Sequence, residues 1–203
     1  MKTDIILAGV GGQGILSIAA VIGFAAVSKN LNIKQAEVHG MSQRGGAVYS
    51  HLRLSDRQIA SDLIPSGGAD LVLSVEPMEA LRYVSCMAPD GWLVTNTQPF
   101  VNIDNYPDRQ LLVEHLNAMK NRILVDADGL ARQCGSIKAS NMVMLGAALP
   151  FINIEPEEME KAIAAIFERK GQDTVAVNIS ALQAGYGAAV KEKQKNEWNI
   201  PHS

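Results

Sequence analysis

Leu7-Ala8-Gly9-Val10-Gly11-Gly12-Gln13-Gly14 stands between the apolar run Ile5 to Ala8 and the longer apolar run Ile15 to Val27. A strand that ends in glycines opening directly into a helix is the construction of a phosphate cradle. The helix N-terminus offers unpaired N–H groups and partial positive charge. The spacing G-x-G-x-x-G assigns Gly9 to the tight turn, Gly11 to close approach of a ligand, and Gly14 to packing of helix on strand. The same stretch also reads as a glycine-rich turn that only permits close packing.

Downstream, Lys34 to Val38 reads as a second strand. It would complete a βαβ unit with a right-handed parallel crossover, and would put Glu37 near the ribose-binding acid position of a dinucleotide fold. His39-Gly40-Met41-Ser42-Gln43-Arg44-Gly45-Gly46 is a polar, glycine-rich loop with one arginine. Because strand ends meet at one edge of a parallel sheet, the loop is expected beside the glycine turn. Ala47 to Leu54 alternates with the period of a strand, His51 and Arg53 sharing its wetter face. His51 reads as a hydrogen-bonded strand histidine, since neither a carboxylate nor a nucleophile accompanies it.

Gln58 to Ile64 is a candidate short strand, and Asp70 to Val75 a buried one. Glu76-Pro77-Met78-Glu79-Ala80-Leu81-Arg82 begins a helix with proline in its first turn, Glu76 and Glu79 as favourable charge at its N-terminus, and an apolar stripe Met78, Leu81, Val84, Met87. Gly91 to Thr95 and Arg122 to Val125 read as strands. Arg109 to Lys120 reads as a helix with Leu111, Leu112, His115, Leu116 and Met119 on one half-buried side. Asp126 and Asp128 are metal ligands or helix caps, and capping is the commoner use of such a pair. The small residues Gly146, Ala147 and Ala148 suit close helix packing, with Asn141 as a polar anchor. Two further helices carry Met159, Ile163, Ile166 and Phe167, then Val175, Ile179, Leu182, Tyr186 and Val190. A charged tail, residues 191–203, follows a single domain at 1–190 and is expected to fray.

The chain has 203 residues, 47% hydrophobic and 19% charged, with a formal charge of -3. That fits one domain burying roughly 70% of its unfolded surface, and disfavours a nucleic-acid partner. No apolar run reaches the roughly 20 residues of a membrane span, and Asp4 interrupts any signal-peptide reading, so a cytoplasmic protein is expected. Cys86 and Cys134 are the only cysteines and form no C-x-x-C pair. They cannot supply a disulfide framework, a zinc site or a four-cysteine iron-sulfur cluster.

In order along the chain, Gly9-Val10-Gly11-Gly12-Gln13-Gly14, the loop Gln43-Arg44-Gly45-Gly46 and Glu76-Pro77-Met78-Glu79-Ala80-Leu81-Arg82 resemble the gamma-type subunit of 2-oxoacid:ferredoxin oxidoreductases. The last motif is most similar to the indolepyruvate branch. The resemblance spans about residues 1 to 190. It implies a Rossmann-like α/β three-layer sandwich with a mixed, largely parallel sheet. It also implies a large partner subunit carrying thiamine diphosphate and iron-sulfur clusters, and oxidative decarboxylation of a 2-oxoacid to acyl-CoA with ferredoxin as acceptor. For this chain it implies a part in binding coenzyme A: Gly9, Gly11, Gly12, Gln13 and Gly14 at the diphosphate, and Ser42, Gln43, Arg44 and Gly45 at the ligand or the partner. Single-chain pyruvate members of that family carry an acid in the glycine turn where this sequence has Gly12-Gln13.

Two other readings stay open at this level. One is a stand-alone NAD(P)-dependent oxidoreductase; against it, the chain lacks an evident proton-transfer constellation. The other is a purely structural subunit whose glycine turn holds no ligand.

Overall fold

The computed structural model describes residues 1–39 and 45–198. Its strands are β1 (Lys2–Val10), β2 (Asn32–His39), β3 (Ala47–Ser55), β4 (Ala69–Ser74), β5 (Met87–Asn96) and β6 (Arg122–Val125). They form one sheet in the order β2-β3-β1-β4-β5-β6. β1, β4, β5 and β6 run parallel, whereas β3 is antiparallel to both of its neighbours. The sheet is therefore mixed and largely parallel, as expected.

The helices are α1 (Ile15–Ser28), α2 (Pro77–Arg82), α3 (Arg109–Ala118), α4 (Ala127–Gln133), α5 (Ser140–Ala148), α6 (Pro156–Phe167) and α7 (Gln172–Trp198). They cover both faces of the sheet. Ile5 and Leu7 of β1 point into the core made by α1, α5, α6 and α7, while Ile6 between them points to the smaller core under α2 and α3. A central strand buried on both faces must be apolar at successive positions, which is why Ile5 to Ala8 shows no alternation.

The expected βαβ unit is corrected. β2 runs in the same sense as β1, but β3 lies between them and pairs with β1 from Lys2↔Ser55 to Val10↔Ala47. A connection as short as the one from His39 to Ala47 favours a hairpin, and β3 then takes the place beside β1. Gln58 to Ile64 is not a strand. Arg53 Nη1 donates to the carbonyls of Ser61 and Leu63, 3.0 Å each, and Ile64 N–H donates to His51 Nδ1 at 3.0 Å. Side chains of β3 thus satisfy that segment where a ladder would have done so. Arg53 itself is anchored to buried Asp4, 2.8 Å from Nε to Oδ1.

Smaller corrections follow from burial. α2 ends at Arg82, so Val84 and Met87 belong to a short 3₁₀ turn and to β5. On α3 only Leu112 and Leu116 are buried; Leu111 and His115 are exposed. The segment after Lys191 continues α7 as far as Trp198, and residues 199–203 lie outside the described residues.

α5 packs against α7 at backbone contact. A Cβ on Gly146 would lie 1.9 Å from the Leu182 carbonyl, and one on Gly185 would lie 1.9 Å from the Val143 carbonyl. These two glycines let the helices approach where any side chain would force them apart.

Candidate functional site

The glycine turn is held from within. Gln13 N–H donates to the Val10 carbonyl at 3.1 Å, and the Gln13 Oε1 folds back to accept from Val10 N–H at 2.8 Å. Gly12 and Gly14 have φ of 100° and 82°, which only glycine adopts without strain. Gly14 is the N-cap of α1, has no side chain with which to cap it, and the first turn holds no acid. Among the described residues, the backbone N–H groups of Gly12, Gly14, Ile15 and Leu16 donate to no acceptor. A Cβ on Gly12 would meet nothing within 4 Å, so this part of the turn faces open space.

The roles assigned by spacing are partly redistributed. Gly9 is the close-packing glycine: a Cβ there would sit 2.4 Å from Val75 Cγ2. Gly11 is not open to a ligand through its N–H, which donates to the Gly46 carbonyl at 2.9 Å. Gln13 spends its side-chain oxygen on the turn. Gly14 makes a close approach to Asn141, whose Nδ2 donates to the Gly14 carbonyl at 3.2 Å. Asn141 is the polar anchor expected of it, and it ties the start of α5 to the start of α1.

The turn opens on a cleft of about 920 Å³ at the carboxyl edge of the parallel strands. Its inner wall is Gly12, Gln13, Gly14, Ser17, Val75 and Asn96; the outer wall comes from Ser136 to Asn141 and from the junction of α6 and α7. Open α/β sheets bind ligands at such an edge, where chain connections diverge. The N-termini of α1, α5 and α7 all contribute to this lining, so three helix dipoles present their positive ends. Lys138 and Lys170 add formal positive charge, and Asp128 and Asp173 offset it.

The hairpin loop reaches the same edge. Gly45, with φ 76°, offers its carbonyl to Asn102 Nδ2 at 2.5 Å, and Gly46 holds Gly11. The described end of the loop, Gly45 and Gly46, is thus beside the glycine turn, brought there by the antiparallel hairpin rather than by a parallel neighbour. Ser42, Gln43 and Arg44 lie outside the described residues.

Other candidates have structural explanations. Asp126 caps α4 through Gly129 N–H at 2.9 Å, and Asp128 lies 3.4 Å from Asn96 Nδ2. Among the described residues no group of three or more His, Cys, Asp or Glu side chains could hold a metal. Glu37 sits on the outermost strand, with β3 occupying the position next to β1 that a ribose-binding acid requires. His51 is the strand histidine expected, its ring also edge-on to Tyr49 at 5.7 Å. Burial and the neighbouring Arg53 hold its pKa below the ordinary value.

Glu76 and Glu79 stand at the N-terminus of α2 as expected; what sequence reasoning missed is their burial. Glu76 caps α2 by accepting from Glu79 N–H at 2.8 Å, and also accepts from Phe100 N–H at 3.3 Å and from the Tyr106 hydroxyl. It fixes the loop between β5 and α3 at the cleft. Glu79 is buried beside it, and desolvation raises its pKa. The long-range partners of Glu76, at Phe100 and Tyr106, leave no local sequence signal.

Comparison with known proteins places this geometry. The chain is 34% identical over 197 residues to indolepyruvate oxidoreductase subunit IorB of Archaeoglobus fulgidus, covering 94% of this chain and 96% of the relative. It is 35% identical over 198 residues to the IorB subunit of Methanothermobacter thermautotrophicus, covering 94% and 100%. Among solved structures it is similar in fold to the gamma subunit of a keto/oxoacid ferredoxin oxidoreductase from Geobacter sulfurreducens, with TM-score 0.67 and 22% identity over 93% of this chain and 99% of that one. A 2-oxoglutarate:ferredoxin oxidoreductase from Magnetococcus marinus, solved with 2-oxoglutarate, coenzyme A and succinyl-CoA, superposes with TM-score 0.74 and 20% identity; the match covers 94% of this chain and 31% of that one. The pyruvate ferredoxin/flavodoxin oxidoreductase family model matches residues 4–188, and the chain belongs to that family.

Proposed function

We propose that this chain is the small subunit of an indolepyruvate-type 2-oxoacid:ferredoxin oxidoreductase, and that its glycine turn holds the diphosphate of coenzyme A. Full-length similarity to two indolepyruvate oxidoreductase subunits supports the first part. The observation that carries the second is the uncapped start of α1. Four N–H groups there, on Gly12, Gly14, Ile15 and Leu16, have no acceptor and line or border a cleft large enough for a cofactor-sized ligand. Gln13 contributes by rigidifying the turn, and Gly9 by letting it close on Val75. Gly11 contributes by holding the end of the hairpin loop through the Gly46 carbonyl, and Gly45 by tying that end to Asn102, and we extend the site to Ser42, Gln43 and Arg44 on sequence grounds. In this reading the large partner subunit carries thiamine diphosphate and iron-sulfur clusters and passes electrons to ferredoxin. Coenzyme A supplies the thiol that takes the acyl group, and this chain binds and orients it.

The test is a pair of substitutions at Gly12, where an added side chain meets open space. Gly12→Asp and Gly12→Asn impose the same backbone strain and differ in charge. A carboxylate facing the diphosphate costs about 1 to 3 kcal/mol, so the Michaelis constant for coenzyme A in the assembled enzyme should rise about 5- to 150-fold more for Asp than for Asn. Equal constants for the two variants would remove the diphosphate from this turn.

A further inference from the structure

A diphosphate at the glycine turn fills only the inner part of the cleft. The outer part lies between the 3₁₀ turn Ile137–Ala139 and the junction of α6 with α7. It is lined by two lysines, an exposed apolar side chain and a nearly buried amide. Lys138 and Lys170 make no ion pair among the described residues; the Lys170 ammonium lies 5.1 Å from the centre of the Phe167 ring. Ile137 is an apolar side chain left 45% exposed on this wall. Asn178 is only 8% exposed; its Nδ2 donates to the Thr174 carbonyl at 2.8 Å, while its Oδ1 accepts nothing from any described residue. That oxygen is not sealed from solvent, and Asn178 lies on the cleft lining, where a donor on a ligand can reach it.

We propose that this outer half of the cleft is the subsite for the 3′-phosphoadenosine end of coenzyme A, with Lys138 and Lys170 reading the 3′-phosphate. The inference rests on the coenzyme A reading above and adds the part of the ligand that the glycine turn does not explain. Each feature has a counterpart in that group. A flat ring covers Ile137, an exocyclic amine supplies the donor that Asn178 Oδ1 lacks, and a dianionic ester pairs with two ammonium groups. The acids on the lining do not cancel the lysines. Asp128 is turned toward Asn96, 3.4 Å away, at the floor of the cleft, and Asp173 lies in the first turn of α7, where it offsets that helix's own dipole. Lys138 is three residues before Asn141, which binds Gly14, so a ligand can span from the turn to this cation along one wall.

The experiment compares coenzyme A with 3′-dephospho-coenzyme A as substrates of the assembled enzyme, for wild type, Lys138→Ala, Lys170→Ala and the double variant, with Gly12→Asp in parallel. The wild type is expected to favour coenzyme A about tenfold or more in kcat/KM, and the double variant to bring that ratio close to one. Loss of discrimination against the dephospho form is a readout that general damage to the cleft does not produce. A wild-type ratio near one, or a ratio that survives in the double variant, overturns the subsite. If Gly12→Asp raises the Michaelis constant while the lysine variants keep the ratio, only this inference falls. If Gly12→Asp is also silent, the coenzyme A reading itself falls.

Discussion

Gly14 concentrates the constraints on the site in one residue. Its φ of 82° and the 2.4 Å that would separate an added Cβ from Asn141 Nδ2 leave no room for another residue. Gly14→Ala should cost about 2 to 3 kcal/mol, from about 1 to 2 for the left-handed backbone and about 1 for the displaced Asn141 hydrogen bond. Gly12→Ala meets open space and should cost only the backbone part. Urea unfolding of the two variants measures the difference, and equal losses would mean that Asn141 yields freely. His51 gives a pH dependence. Its neutral Nδ1 accepts from Ile64 N–H, and its pKa in the folded chain is held below the ordinary 6.5. The unfolded chain therefore takes up the proton first, so the stability His51 contributes is complete above pH 6.5 and is lost as pH falls toward the folded value. Relative to His51→Asn, the wild type should lose stability as pH falls from neutral through 6.5 and below. A difference that stays constant across that range would contradict the assigned role.

Among the elements, α1 is apolar on nearly every face, and the structure shows two uses for it. Ile15, Ile18, Val21, Ile22 and Ala25 are buried against the sheet and α6, while Leu16, Ala20, Phe24 and Val27 form an exposed stripe at helical spacing. Phe24 is 46% and Val27 61% exposed. In a chain proposed as a subunit, such a stripe suits the large partner. Phe24→Glu with Val27→Glu should weaken association at least tenfold, as loss of a central apolar anchor does. The isolated chain should keep its stability within about 0.5 kcal/mol. Unchanged association by sedimentation would place the interface elsewhere. α1 and the strands at β1, β4 and β6 were legible because their signals are local: a glycine turn, an apolar run, a short bounded segment. The place of β3 was not, because alternation in Ala47 to Leu54 fixes a strand and its two faces but says nothing of which neighbour it joins. The candidate strand at Gln58 to Ile64 failed for a related reason: Arg53 and His51 satisfy its backbone from across the sheet.

For the molecule as a whole, the glycine turn and the hairpin loop were readable as one edge, since both follow strands that end there. The outer wall of the cleft was not, because Lys138, Lys170 and Asn178 lie more than a hundred residues from the turn and carry no motif. Their nearness depends on α5 and α7 packing through Gly146 and Gly185, of which only Gly146 was singled out by its neighbours. The central claim, a subunit that completes a coenzyme A site for a catalytic partner, also predicts a division of labour. The decisive measurement is coenzyme A-dependent, indolepyruvate-driven reduction of ferredoxin by this chain alone, by the large subunit alone, and by the two together. The account predicts turnover only in the reconstituted pair, with acyl-CoA as product. Turnover by this chain alone, or by the large subunit at the full rate without it, would contradict the account.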